Sequence, residues 1–290
     1  MRAGAEYTQL GCSCRPFAVI SSSAQNAMGC AGGALGKDTM HDDHGLAREL
    51  RFAAARGEIT ARFQVQVDVR AGLVVALEAL SRWQHPRLGI VPPNAFIPIA
   101  EAVDAMNAVG DVMLETACCF GAALANAGRR VGIAVNVAAE QLSQRRFVER
   151  VAQHLESSGL PAALLTLELT ESQPAPASAP RTLAAVRSLG VAVSVDDVRT
   201  LEEAVDRVRC LPITELKVDR SVIQRLPAES HVAAVLVRFA REQGLQSVAE
   251  GVETPSQWEA VRALGFDRAQ GYLFGRPMTP RQMRARLGSE

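Results

Sequence analysis

The chain carries no excess charge of either sign: 31 Lys and Arg stand against 31 Asp and Glu in 290 residues. No global field therefore draws it to nucleic acid or to a membrane surface, and an anionic partner must be held by a local site. It also lacks any CxxC pair with zinc-finger spacing. Its six cysteines fall into a loose N-terminal group (Cys12, Cys14, Cys30) and a group inside apolar helical segments (Cys118, Cys119, Cys210), which read as small core residues of a reducing, cytoplasmic compartment. No uninterrupted apolar run approaches about 18 residues, so no membrane span is expected. "CRPFAVISSSAQNAMGCAGGALG" has no basic start followed by a clean apolar core, which argues against an export signal.

What is present begins after a weakly patterned stretch. Residues 1 to about 43, rich in Gly, Ser and Ala, read as a disordered leader or an upstream mis-start, with Met40 an alternative first residue. The "HDDH" at His41 to His44 looks like a ligand cluster, but in that setting it reads as solvated polar residues. Residues 44–290 read as a single domain, and 48% apolar residues suffice for a large core.

From residue 45 apolar strand-like runs alternate with amphipathic helical runs, which argues for an α/β fold. Strands are expected at 61–69, 73–80, 131–137, 164–170, 191–197, 213–219, 245–252 and 267–272. The first two are separated only by "RAG", too short for a crossover, so they should form an antiparallel hairpin. Later runs are separated by helices such as "PASAPRTLAAVRSLG" and "TPSQWEAVRALG", each with a capping start and a terminal Gly. This pattern fits a TIM-type (β/α)8 barrel modified by an opening antiparallel hairpin; a doubly wound open sheet is the alternative.

Active groups of such barrels gather at the C-terminal strand ends. Polar residues fall late in these runs: Glu78, Asn136, Glu168, the pair Asp196 and Asp197, Lys217 with Asp219, Glu250 and Gln270. Taken singly, a strand-end Asp is most often a cap or a surface group. Their coincidence on successive strands points instead to one convergent site. That site would hold carboxylates, an amide and a lysine but no histidine or cysteine, a donor set suited to Mg²⁺ or Mn²⁺ and not to zinc or copper. Adjacent Asp residues at a strand end can bind a bridged metal pair, whose usual task is displacement at phosphorus. Lys217 reads equally as a structural ion pair or as the holder of a water or a phosphate oxygen.

The segments "LEALSRWQHPRLGIVPPNAFIPIAE" (77–101), "VNVAAEQL" (135–142), "LELTES" (167–172), "VDD" (195–197), "LKVDRS" (216–221), "VAEGVET" (248–254) and "AQGYLFGRP" (269–277) resemble the successive motifs of the EAL domain family. These are bacterial phosphodiesterases that linearise cyclic di-GMP. The resemblance implies that Glu78, Asn136, Glu168 and Asp196 bind a first metal and that Asp197 joins Asp196 on a second. It implies that Lys217 and Glu250 orient or deprotonate the attacking water, that Gln270 and Glu253 support the site, and that Glu171 ties down the loop after the Asp pair. Arg82 and Gln64 match positions that hold the nucleotide, and a guanidinium fork suits phosphodiester oxygens. The implied reaction is in-line attack of an activated water on one phosphodiester, giving linear pGpG; the resemblance also suggests a homodimer, and regulation is left open between an unidentified signalling partner, oligomerisation and expression alone.

The family continues after its Asp pair with a loop of the type Phe-Gly-Thr-Gly-Tyr-Ser-Ser-Leu, where this chain reads "VRTLEEAV" (198–205). Without the glycines a different loop is expected, with a helix starting at Thr200. In the family that loop helps order the second metal and the dimer contact, so the chain also admits a second reading, a cyclic di-GMP receptor or interaction module with weak or no turnover. Val65 in place of a usual proline, and "EAVDAMNAV" (101–109) in place of a more polar glycine-containing segment, are milder departures.

Overall fold

The computed structural model describes residues 39–169 and 176–288. Helix α1 (Thr39–Ala53) leads into the hairpin of β1 (Ile59–Asp68) and β2 (Val74–His85), paired antiparallel with Gln64 opposite Glu78. Its turn is set by Asp68, whose side chain accepts from the backbone N–H groups of Arg70 (2.9 Å) and Ala71 (2.7 Å), and by Gly72 at φ 68°. β2 runs five residues past the expected end at residue 80 because Trp83 and His85 are buried. Trp83 Nε1 donates to Glu58 (2.9 Å) and its ring meets Phe96 edge-on, while His85 bonds Glu49 of α1. A short strand not anticipated from the sequence, β3 (Gly89–Val91), pairs with this extension. Three residues are too few to show a period.

The chain then follows α2 (Pro93–Ala102), α3 (Met106–Asn126), β4 (Gly132–Val137), α4 (Phe147–Ser158), β5 (Leu165–Leu169), α5 (Ala179–Ser188), β6 (Ala192–Val198) and α6 (Leu201–Cys210). It closes with β7 (Glu215–Val218), α7 (Arg220–Ile223), α8 (His231–Glu242), β8 (Gln246–Ala249), α9 (Pro255–Leu264), β9 (Arg268–Gln270) and α10 (Pro280–Gly288). Strands β2, β4, β5, β6, β7, β8 and β9 are successive parallel neighbours, and β9 pairs antiparallel with β1, which closes the barrel; β3 hangs on β2 outside the ring. The closed barrel, not the open sheet, is the fold.

Side chains alternate across each strand. Leu77, Val135, Leu167, Val195, Leu216 and Ala249 face outward and are buried beneath the helices. α9 shows how the sequence bounds a helix. Thr254 accepts from Gln257 N, the Gln257 side chain accepts in return from Thr254 N, Pro255 opens the first turn, and Gly265 ends it at φ 76°.

α3 is long and apolar enough to cross a membrane by length and composition. In the barrel its Val109, Met113, Leu114 and Phe120 are buried against the sheet, and Phe120 stacks on Phe63 of β1. Its apolarity is accounted for by the core.

Candidate metal centre

The strands bring the predicted groups to one end of the barrel. Lys217 of β7 is fully buried at the middle of the site, its Nζ 2.7 Å from Glu250 Oε1, 3.1 Å from Glu168 Oε2, 3.2 Å from Asp196 Oδ2 and 3.9 Å from Glu78 Oε2. Asn136 Nδ2 donates to Glu78 Oε1 (2.8 Å), and Gln270 Nε2 donates to Glu78 Oε2 (2.5 Å). Gln64 accepts from Gln270 (3.2 Å) and donates to the Gly275 carbonyl (3.1 Å), so both amides bridge the hairpin to β9. Glu78 sits in mid-strand, because β2 continues beyond the expected terminus.

Asp196 and Asp197 are neighbours, and in a regular strand one of them would face the helices. Two distortions redirect the second. The pairing of β6 with β7 slips between Val195 and Val198, and Asp197 adopts φ 60°. A left-handed residue other than Gly costs about 1–2 kcal/mol, and such strain concentrates at functional sites. Asp197 thereby joins Asp196 and Glu250 in one cluster, while Asp196 is shared with a second cluster of Glu78 and Glu168; within each, carboxylate oxygens lie within 4.8 Å of one another.

The predicted helix does start at once. Thr200 caps α6 by accepting from Glu203 N (3.2 Å), and Glu203 Oε2 accepts in return from the N–H groups of Arg199 (2.8 Å) and Thr200 (3.3 Å). A local hydrogen-bonded box thus replaces a glycine loop and leaves the Asp pair in place.

The electrostatics follow from burial. Desolvation raises the Glu168 and Glu250 pKa values well above the usual carboxylate range, with Asp196 and Glu78 adding repulsion against the opposing pull of Lys217. Burial alone would lower the Lys217 pKa, but Asp196, Glu168, Glu250 and Glu78 together hold it well above its usual value. Asp197 is pushed up to about 6 by burial, then by Asp196 and Asp219. One ammonium cannot balance all these carboxylates, and Glu168 Oε1 is buried with no hydrogen-bond partner among the described residues. The all-oxygen donor set and its uncompensated negative charge fit one or two hard divalent cations.

If Asp197 is a ligand, Mn²⁺ affinity measured by calorimetry should rise with pH, since its carboxyl must ionise to bind. Asp197→Asn should then flatten that profile by about tenfold per pH unit below about pH 6, one proton's worth. Parallel wild-type and variant profiles would remove Asp197 from the ligand set.

Two clefts flank the centre. One, of about 310 Å³, has Pro93, Ile97, Met106 and Met113 on its walls beside Glu78, Asn136, Asp196 and Asp197. The other, of about 220 Å³, is polar and lined by Gln64, Glu250, Glu253, Arg220, Gln270 and Tyr272.

Some predicted residues fall elsewhere. Glu253 pairs with Arg220 (2.8 Å) and lines the polar cleft together with Glu250 and Glu78. Arg82, half-buried, donates to the Ser81 carbonyl (2.7 Å). Asp219 caps α7 through Ser221 N (2.7 Å) and abuts Asp197. Glu171 lies outside the described residues. Sequence reasoning overlooked Arg220, whose stem packs over Gly251, where a Cβ would come within 2.3 Å of it. Only the absent side chain of Gly251, at φ 69°, lets that arginine reach the polar cleft.

A closed barrel with a shared acidic centre at its strand ends is an arrangement that can hold hard divalent cations. The family model for the EAL domain matches residues 47–277. The chain is 37% identical to the Cyclic di-GMP phosphodiesterase NbdA of Pseudomonas aeruginosa over 80% of its own length and 30% of that protein's. It is 32% identical to RocR, a Cyclic di-GMP phosphodiesterase of the same organism, over 77% of this chain and 58% of RocR. The chain thus spans less than two thirds of the length of each of these relatives. Among solved structures, the phosphodiesterase PaMucR in complex with c-di-GMP superposes with a TM-score of 0.76 at 34% identity, covering 82% of this chain and 99% of that one. The chain belongs to the EAL domain family.

Proposed function

We propose that the chain is a phosphodiesterase that hydrolyses one phosphodiester of cyclic di-GMP to linear pGpG, using Mg²⁺ or Mn²⁺. The carrying observation is that Asp196 is shared by two carboxylate clusters around a buried lysine. Glu78, Asn136, Glu168 and Asp196 would hold the first cation, and Asp197 with Glu250 would flank a second. The cations would supply charge neutralisation and acidify water. Lys217 positions the attacking water or a phosphate oxygen through its ammonium. Glu250, made more basic by burial and by Asp196, takes the water's proton as the new P–O bond forms; the P–O bond to the ribose breaks, and the proton passes on to the departing ribose oxygen, which leaves as a hydroxyl. The two clefts, one on either side of the centre, provide room for the two halves of a cyclic dinucleotide. The relatives named as cyclic di-GMP phosphodiesterases and the nucleotide complex of PaMucR support this substrate.

A cytoplasmic location accords with an intracellular messenger and with the buried, inert Cys118 thiol, pushed up to about 12 by desolvation. Pairing into homodimers and control by a signalling partner remain part of the proposal, and sedimentation of the purified chain with and without nucleotide tests the first. The helix that begins at Leu201, where the family has a glycine loop, favours a second reading, a receptor that binds the nucleotide without turnover.

Incubating the purified chain with cyclic di-GMP and Mn²⁺, Mg²⁺ or EDTA, and following pGpG by chromatography, decides between them. Metal-dependent product that disappears in EDTA is expected. No product, with nucleotide retained in equilibrium dialysis, would establish the receptor.

A further inference from the structure

One rung below the acidic centre the barrel interior is unusual. Strand alternation places Gln66, Ala76, Ala134, Thr166, Ser194, Glu215, Val248 and Arg268 facing inward there, two residues beneath the groups that meet around Lys217. Barrels of this type normally fill such a layer with bulky branched side chains. Here only Val248 answers that description, and Ala76, Ala134 and Ser194 are small.

The rung is also polar and short of partners. Gln66 is 1% exposed, yet neither its Nε2 nor its Oε1 has a hydrogen-bond partner among the described residues. Ser194, fully buried, faces Glu215 without a well-formed hydrogen bond from its Oγ. Just above, Glu168 Oε1 and Gln270 Oε1 are likewise buried and unsatisfied. At the same level Glu215 and Arg268 form an ion pair (3.0 Å), with Glu215 buried and Arg268 partly exposed. Leaving one buried amide atom unpaired costs about 1–3 kcal/mol, so this many in a single column is not tolerable in a dry core. Small walls and several polar atoms are the conditions under which an interior holds ordered water.

We propose that the barrel interior directly beneath the acidic centre is a water-binding well, in which Gln66, Ser194 and Glu215 hold ordered water that also bonds the buried oxygens of Glu168 and Gln270. The Glu215–Arg268 pair bounds it at the same level. By bonding Glu168 from beneath, the water fixes how that carboxylate presents its oxygens to the centre, as outer partners of metal ligands do. Gln66 is a positioning residue in this account, acting through water on Glu168. The inference rests on the barrel's packing and stands whether or not the chain turns over cyclic di-GMP.

Water ¹⁷O relaxation dispersion on the metal-free chain reads long-lived internal water directly. The wild type should show it, Gln66→Leu should lose part of the signal, and its Mn²⁺ affinity should fall about tenfold by calorimetry. Ser194→Val, a milder filling of the same well, should lose signal too and serves if Gln66→Leu does not fold. Dispersion profiles that superimpose across wild type and variants would overturn the well. A dry layer would announce itself further by a higher melting temperature in Gln66→Leu, since the substitution would only remove unsatisfied atoms. Loss of the water signal with unchanged Mn²⁺ affinity would overturn its link to Glu168.

Discussion

Lys217→Met should cost the metal-free protein about 3–5 kcal/mol of stability near neutral pH, the usual result of removing one partner from a buried ionic group. Lys217 is fully buried and within 4 Å of Glu78, Glu168, Asp196 and Glu250, so its loss leaves carboxylates facing one another with nothing between them. The sign of the pH dependence follows from Glu168 and Glu250. Their pKa values are raised in the fold, so the fold binds their protons more tightly than the unfolded chain does. Stability therefore rises as pH falls from neutrality and stops rising once the unfolded groups titrate, near their ordinary value of 4.5. In Lys217→Met these shifts grow, so the deficit should shrink at about pH 5. Added Mn²⁺ should shrink it as well, by supplying the missing positive charge. Urea unfolding of both proteins at the two pH values, with and without Mn²⁺, measures this. A variant as stable as wild type near neutral pH would mean that the acids already hold protons in the empty site, and Lys217 would not be their counterion.

The acidic centre was legible because barrels expose it in one dimension. Each strand's last inward residue is polar where its neighbours are apolar, so Asn136, Glu168, Asp196, Lys217 and Gln270 stand out as interruptions in apolar runs. The hairpin was equally legible, since three residues cannot cross a sheet, and Thr200 announced its helix through a capping box. What was not legible depended on geometry that no period encodes. The slip at Val195/Val198 and the φ of 60° at Asp197 turn two neighbours the same way, and only backbone pairing reveals them. β3 is too short to carry a pattern. The ion pair of Glu215 on β7 with Arg268 on β9 likewise depends on how the sheet closes, which neither strand's own sequence encodes. Glu253 was placed by resemblance, and its pairing with Arg220 depends on a glycine two residues earlier that leaves room for the arginine stem.

Glu78→Ala should abolish hydrolysis, with a loss well beyond the 10- to 100-fold typical of residues that merely support a metal ligand. Glu78 accepts from both Asn136 and Gln270 and belongs to the carboxylate cluster that includes Glu168 and Asp196. Removing it takes away a ligand and strips the Asn136 and Gln270 amides of their acceptor. Part of any loss in the alanine variant could therefore come from a collapsed site. Glu78→Gln separates these effects, because the amide keeps the volume and an acceptor oxygen while giving up the charge a divalent cation requires. The glutamine variant should keep its melting temperature within a few degrees of wild type, lose calorimetric Mn²⁺ binding, and form no pGpG. Because relieving one of several repelling carboxylates favours the metal-free fold, it should be no less stable than wild type in EDTA and less stable only when Mn²⁺ is present. That crossing of stabilities distinguishes a ligand from a structural acid: a structural Glu78 would destabilise equally in both conditions. Turnover retained in either variant would sink the assignment of Glu78 to the metal centre, and with it the reading of the shared acidic cluster as the place where the phosphodiester is cut.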